Sequence, residues 1–343
     1  MDIEFHYYMT YLIATKAGFG KEDALTVATA CQYVDDNDMI LQIDKGRDTA
    51  YRNYISQTLN ILKPKRKLFR IYPLFHFIPG YPESPTAFRK DGKMHWLNTT
   101  PNSRNANRIL DAALATDDLY RIGIACHGFA DTWAHQNFVG YFDEFNAMAN
   151  PLSKAMPNIG HADAGHDPDW PALFWRDERM LHEWVDNKAL FLDAAETLLK
   201  KLTIYVDPRI SKTGLAEKSR ALRGDLDRAI GDRDRNNSYR AARIARYRAL
   251  SDRAEYGDCE LAEYDANLWL DEVVNESVRG LRDRSDFILT RWDPLSDVYT
   301  WKNPRNHRRS RWYLFQEAVK NHQKEAWDIL VHSNMANLEL PHM

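Results

Sequence analysis

The stretch Cys126-His127-Gly128-Phe129-Ala130-Asp131-Thr132-Trp133-Ala134-His135 decides how this chain is read. A helix turns roughly 100° per residue, so positions i, i+4 and i+8 share one broad face. His127, Asp131 and His135 then project together, as metal ligands do on a bundle helix. Two imidazoles and a carboxylate suit zinc or a similar divalent transition ion. Seven of the chain's 12 histidines fall within its first 166 residues.

Helical periodicity spreads outward from this segment. Ala24, Val27, Ala28, Cys31 and Val34 keep the spacing of a buried helix face, with Glu22 and Asp23 suited to its N-terminus. The pattern predicts helices over 5–17, 46–61, 104–116, 118–137, 176–203, 215–230, 237–256, 259–284 and 307–332. Two long loops interrupt them, 64–103, marked by Pro73, Pro79, Pro82, Pro85 and Pro101, and 149–171 with Gly, Pro and Asn; loops of that length in a compact domain tend to carry function. No segment alternates with period two between turn signals. The expected fold is all-α, a multi-helix bundle with a buried metal cluster and long functional loops. Residues 1–205 read as the metal-binding core. Residues 206–343 read as a helical C-terminal region, a charged hairpin at about 215–256 and closing helices, packed on that core.

Composition sets limits. The chain has 343 residues, 44% hydrophobic, with a formal net charge of −3. That is ample for a core and gives no global pull on nucleic acid. Cys31, Cys126 and Cys259 are odd in number and far apart, so no disulfide framework is expected. No basic n-region or long apolar run opens the sequence, and no stretch reaches the ~18 apolar residues of a membrane span. A cytoplasmic location is the plain expectation, with export without a signal peptide the alternative. Residues 220–253 hold ten arginines and five aspartates; such runs are usually solvated, ion-paired helices.

Further donors lie outside the central helix. His6 sits on the first helix. Asp35 and Asp36 end the second, where carboxylates oppose the helix dipole and a cation would compensate them. His76 stands in the apolar run Tyr72-Pro73-Leu74-Phe75-His76-Phe77-Ile78, where each ring nitrogen needs a partner. His161, His166 and Asp169 share a Gly-containing loop. Tyr7, Tyr8, Tyr72, Phe75, Phe77, Trp96 and Trp133 either line a substrate cleft or fill the core.

The early histidine, the Asp after the second helix, the isolated loop His, the helix-borne His-x3-Asp and the later His-rich segment together resemble the zinc-dependent phospholipase C and S1/P1 nuclease superfamily. The opening Glu4-Phe5-His6-Tyr7-Tyr8-Met9-Thr10-Tyr11 and the run His127 to Gln136 are also similar to an uncharacterised bacterial family of unknown function. The resemblance covers about residues 1–170. It implies an all-α fold, two to three zinc ions and hydrolysis of phosphate esters. It matches the metal ligands to His6, Asp35 or Asp36, His76, His127 and Asp131, with Asp131 bridging, and further to His135 and His161. Met1, His166 and Asp169 are possible additions, Met1 through its amine. Asp35 or Asp36 is the candidate general base. This chain departs from the pattern in two places. The histidine after Asp131 follows by four residues rather than about six, and no final His-x3-Glu/Asp appears.

The implied substrate is a phosphodiester, a phospholipid headgroup ahead of nucleic acid, with peripheral membrane contact. A nuclease on the same scaffold, and a non-enzymatic helical protein with a structural metal, are the alternatives.

Overall fold

The computed structural model describes residues 1–58, 68–148, 159–277, 298–336 and 338. The chain starts with a π-helical turn, Glu4–Met9, that runs straight into α1, Thr10–Ala17. α2 is Lys21–Asp36. The short α3 spans Tyr72–Phe75, α4 Arg104–Leu114 and α5 Leu119–Ala134. α6, Asn187–Val206, α7, Lys212–Ile230, and α8, Arg240–Ser251, follow. α9, Leu268–Val273, and α10, Arg311–Val331, close the chain.

α5 is the central helix. Every residue from Ile122 to Ala134 is buried. Its start is fixed by Asp118, whose carboxylate accepts the N–H groups of Tyr120 (2.9 Å) and Arg121 (3.3 Å). Two glycines let neighbours come close. A Cβ at Gly123 would stand 2.5 Å from Val27 O on α2, and one at Gly128 would stand 2.7 Å from Phe75 O on α3. Gly128 lies one residue past His127, so it seats the segment carrying His76 directly on the helix that carries His127 and Asp131. His322 of α10 secures that segment from the other side by donating from Nε2 to Leu74 O at 3.2 Å.

One apolar cluster joins the two ends of the chain: Phe5 and Leu12 with Val27, Ile124 and Phe129, and these with Leu198, Leu226, Tyr247 and Phe315. The described residues of 206–343 therefore share the core of the first half. No helix among the described residues is long and apolar enough to cross a membrane.

The fold is helix-rich but not purely α, which corrects the sequence expectation. Residues 46–58 are a turn, a strand and irregular chain rather than a helix; residues 59–67 lie outside the described residues. β1, Gln42–Ile43, pairs antiparallel with β2, Tyr51–Arg52, and parallel with β6, Val298–Trp301. β6 also pairs with β5, Val274–Ser277, giving the order β2-β1-β6-β5. A second hairpin joins β3, Phe174–Arg176, to β4, Trp184–Asp186, so the helix expected over 176–203 begins at Asn187 instead. The helix expected over 259–284 is confined to α9 before the chain becomes β5; residues 278–297 lie outside the described residues. Strands of two to four residues are too short to display alternation.

Candidate metal centre

His127 and Asp131 stand one turn apart on α5, and His135 caps its C-terminal end. All three are buried. Asp131 is the hub. Its Oδ1 lies 2.6 Å from the Met1 nitrogen and 3.1 Å from His6 Nε2. Its Oδ2 lies 3.1 Å from His127 Nε2, 3.3 Å from His76 Nδ1 and 3.5 Å from His135 Nδ1. The two oxygens thus face different groups of donors.

The first group is Asp35, His76 and His127, the second His135, His161 and Asp169; within each, one ligand atom per residue lies within 4.8 Å of the others. Asp35 Oδ1 is 3.6 Å from His127 Nε2 and 3.7 Å from His76 Nδ1. Asp169 reaches His135 Nε2 at 3.2 Å and His161 Nε2 at 3.6 Å. Asp169 Oδ1 also stands 3.2 Å from the Met1 nitrogen, which ties the second group to the Asp131 hub.

Backbone carbonyls set the tautomers. A carbonyl only accepts, so the ring nitrogen facing it carries the proton. His127 donates from Nδ1 to Cys31 O at 2.8 Å, and His76 from Nε2 to Ser56 O at 3.0 Å. His135 donates from Nδ1 to His76 O at 2.9 Å, and His161 from Nδ1 to Gly165 O at 2.8 Å. In the neutral ring the opposite nitrogen turns its lone pair inward. His127 Nε2 and His76 Nδ1 consequently meet at 3.0 Å, both beside Asp131 Oδ2. Lone pairs so close to each other and to a carboxylate repel unless a proton or metal ion stands among them. His6 Nε2 is buried, close to Asp131 but off hydrogen-bond alignment, and makes no hydrogen bond among the described residues. These donors fit a metal ion, and their outer N–H anchors are the arrangement that orients metal-binding imidazoles.

Electrostatics agree with this geometry. Burial, together with neighbouring histidines, lowers His6, His127 and His135 to about 4. They are neutral near pH 7, the form that binds metal. His76 is raised: burial would lower it, but Asp131 and Asp35 outweigh that. Burial would raise Asp131 and Asp169, yet the surrounding histidines and the Met1 amine hold both well below the usual carboxylate range. The Met1 amine itself is lifted to about 11, because Asp131 and Asp169 outweigh its burial.

The structure thus gathers His6, Asp35, His76, His127, Asp131, His135, His161 and Asp169. Asp36 does not join them. It points away and accepts from Gln32 Nε2 at 3.1 Å and Tyr264 OH at 2.8 Å. His166 stays at the rim, exposed, 3.9 Å from Asp169 and stacked on Trp170. Sequence reasoning missed Cys31, whose Sγ lies within ligand reach of His6 and His127, although burial pushes its thiol well up. It also ranked Asp169 too low; the signal was its place three residues after His166 in a donor-rich loop. Of the aromatic residues, Phe77 stacks on His135 with centroids 4.5 Å apart, while Phe75 and Trp133 are core and Trp96 is exposed.

A cavity of about 370 Å³ opens at Asp35. Asp36, Asp38, Asn37, Asn53 and Gln57 supply its polar wall, Tyr33 and Trp312 its aromatic one, and among the described residues no Lys, Arg or His lines it. A hollow of about 490 Å³ beside His95 and Asp143 contains none of the donors above.

Fold and site together define a helix-rich protein with buried histidine–carboxylate groups able to hold metal. The chain belongs to a family described as being of unknown function, DUF6765, whose model matches residues 1–330. No curated protein and no solved structure matches it.

Proposed function

We propose that the protein is a metal-dependent hydrolase of phosphate esters, phospholipase C-like, that cleaves a phosphodiester with a metal-activated water. The observation that carries this reading is the set of inward-facing nitrogens of His6, His76 and His127 converging on both oxygens of Asp131, with His135 Nε2 facing Asp169 beside them. Zinc is the ion such nitrogen and oxygen donors suit best. Asp35, His76, His127 and Asp131 would hold one ion, His135, His161 and Asp169 a second, and His6 with Asp131 a third. Bound there, the ions would lower the pKa of water and neutralise phosphate oxygens.

The chain's own groups supply the rest. Asp35 belongs to both the donor set and the cavity wall, so it can orient a water and accept its proton. Burial raises Asp35, which moves it toward the range where a general base works best. The Cys31, Ser56, His76 and Gly165 carbonyls hold the imidazoles at fixed angles. Phe77 excludes water from one face of His135.

The cavity favours a compact phosphodiester over a nucleic acid. Its carboxylates repel a polyanion, and among the described residues no basic track for a phosphate backbone lines it. A phospholipid headgroup needs only local polar and aromatic contacts there. The test measures metal content of protein purified without chelator, then assays phosphatidylcholine, phosphatidylethanolamine, single-stranded DNA and RNA with and without chelator. At least two zinc ions and chelator-sensitive lipid cleavage are expected. Chelator-sensitive nuclease activity alone would replace the substrate, and absence of bound metal would remove the reading.

A further inference from the structure

His76, His127, His135 and His161 each anchor one ring nitrogen on a backbone carbonyl; His6 does not. Among the described residues its Nδ1 meets only the weakly bonding Cys31 Sγ, at 3.6 Å. Its ring stacks on that of His127, centroids 3.8 Å apart, but stacking leaves a ring free to slide in its own plane, so a further restraint must set its distance from Asp131. The residues on the opposite side of the same turn supply it.

Glu4 and His6 lie two residues apart on the π-helical turn and face opposite ways. His6 faces Asp131. The Glu4 carboxylate, fully buried, receives both arms of Arg243 from α8: Nε to Oε2 at 2.8 Å and Nη2 to Oε1 at 2.9 Å. Arg243 is itself fully buried, and its Nη1 donates to Asp234 Oδ2 at 2.9 Å. Asp234 accepts the Ser238 and Tyr239 N–H groups and donates its own N–H to Ala172 O, beside the loop that carries Asp169. A guanidinium fork on a carboxylate fixes distance and plane together, which a lysine cannot do. A π-helical turn is rare and marks functional positions more often than regular helix does.

We propose that Arg243 is a positioning residue for the metal centre. By clamping Glu4 it sets the π-helical turn, and so places His6 Nε2 against Asp131. The inference rests on the metal reading above. It gives the arginine-rich C-terminal segment a role that its surface ion pairs do not.

The test loads the full-length protein, Glu4→Gln, Arg243→Lys, His6→Ala and the two corresponding double variants with Co²⁺. Ion count, affinity by chelator competition and the visible d–d spectrum are the readouts. Glu4→Gln keeps shape and Arg243→Lys keeps charge, so either one, if folded, carries the test. Each is expected to weaken one ion by about tenfold or more and alter its band, with the other ions unchanged. In the His6→Ala background neither should weaken binding further, because coupled sites are non-additive. Unchanged binding, a uniform loss across all ions, or an equal loss without His6 would overturn the role. So would failure of both variants to fold, which would make the pair a requirement of the fold alone. No cobalt uptake by the unaltered protein would instead remove the metal reading, and this inference with it.

Discussion

At the scale of single residues, Asp131 and His166 bracket the range of importance. Asp131 is buried, and both its oxygens are surrounded by inward-facing nitrogens. Asparagine would replace one of those oxygens with a donor group and remove the charge that neutral imidazoles cannot supply. His166 is exposed and can relax with its loop. Asp131→Asn should lower metal affinity by more than about 100-fold, and His166→Ala by less than about tenfold. Elemental analysis with chelator competition measures both; equal metal content in the unaltered protein and Asp131→Asn would exclude the bridging role. The residue scale is also where the sequence was most legible. A spacing of four placed His127, Asp131 and His135 on one face, while the burial of that face is shown only by the structure. The choice between Asp35 and Asp36 was not legible. Adjacent residues at a helix end differ by about 100°, and Asp36 is held outward by Gln32 on its own helix together with Tyr264, over two hundred residues away in sequence, which local pattern cannot report.

At the scale of elements, Gly128 governs how α3 sits on α5. A Cβ there would meet Phe75 O at 2.7 Å, a backbone atom that cannot swing aside as a side chain can. Gly128→Ala should therefore move α3, at a cost of roughly 1–3 kcal/mol for overpacking. Because His76 follows α3 directly, weaker metal binding should accompany the loss of stability. Denaturant unfolding of metal-free protein reads the first effect and chelator competition the second; stability lost with metal affinity intact would separate α3 from the centre. The elements missed in the sequence share a physical reason. Residues 46–61 read as a helix in the sequence, but Tyr51 packs on Trp301, Trp312 and Tyr313. β1 finds its parallel partner β6 more than 250 residues later, at Ile43 and Tyr299. Periodicity reports only local order, and a pairing of that range leaves no mark in it. The long helices were legible because each one's buried face repeats within its own sequence.

At the scale of the whole molecule, His322 makes global stability depend on pH. It is buried beside Phe75 and, among the described residues, donates to Leu74 O alone. Burial lowers it from an ordinary 6.5 to about 4. Between these values the unfolded chain takes up a proton that the folded one refuses. The unfolded state binds more protons, so stability rises with pH across that window and is lost as pH falls from 6.5 toward 4. Full protonation in the unfolded state alone costs on the order of 3 kcal/mol. Other groups titrate in the same range: His6, His127 and His135, also lowered to about 4, act in the same sense, and Asp36, raised to about 6 chiefly by burial, acts in the opposite one. The slope of the unaltered protein is therefore a sum, and the informative quantity is its difference from a variant. Glutamine at 322 keeps an amide able to donate to Leu74 O but cannot titrate. With chelator present throughout, His322→Gln should be less stable than the unaltered protein at pH 7.5, through lost packing on Phe75. Its deficit should shrink or reverse by pH 4.5, with a change on the order of 3 kcal/mol between the two conditions. Urea unfolding at both pH values measures this, and a deficit of equal size at the two would mean that His322 does not carry the acid sensitivity.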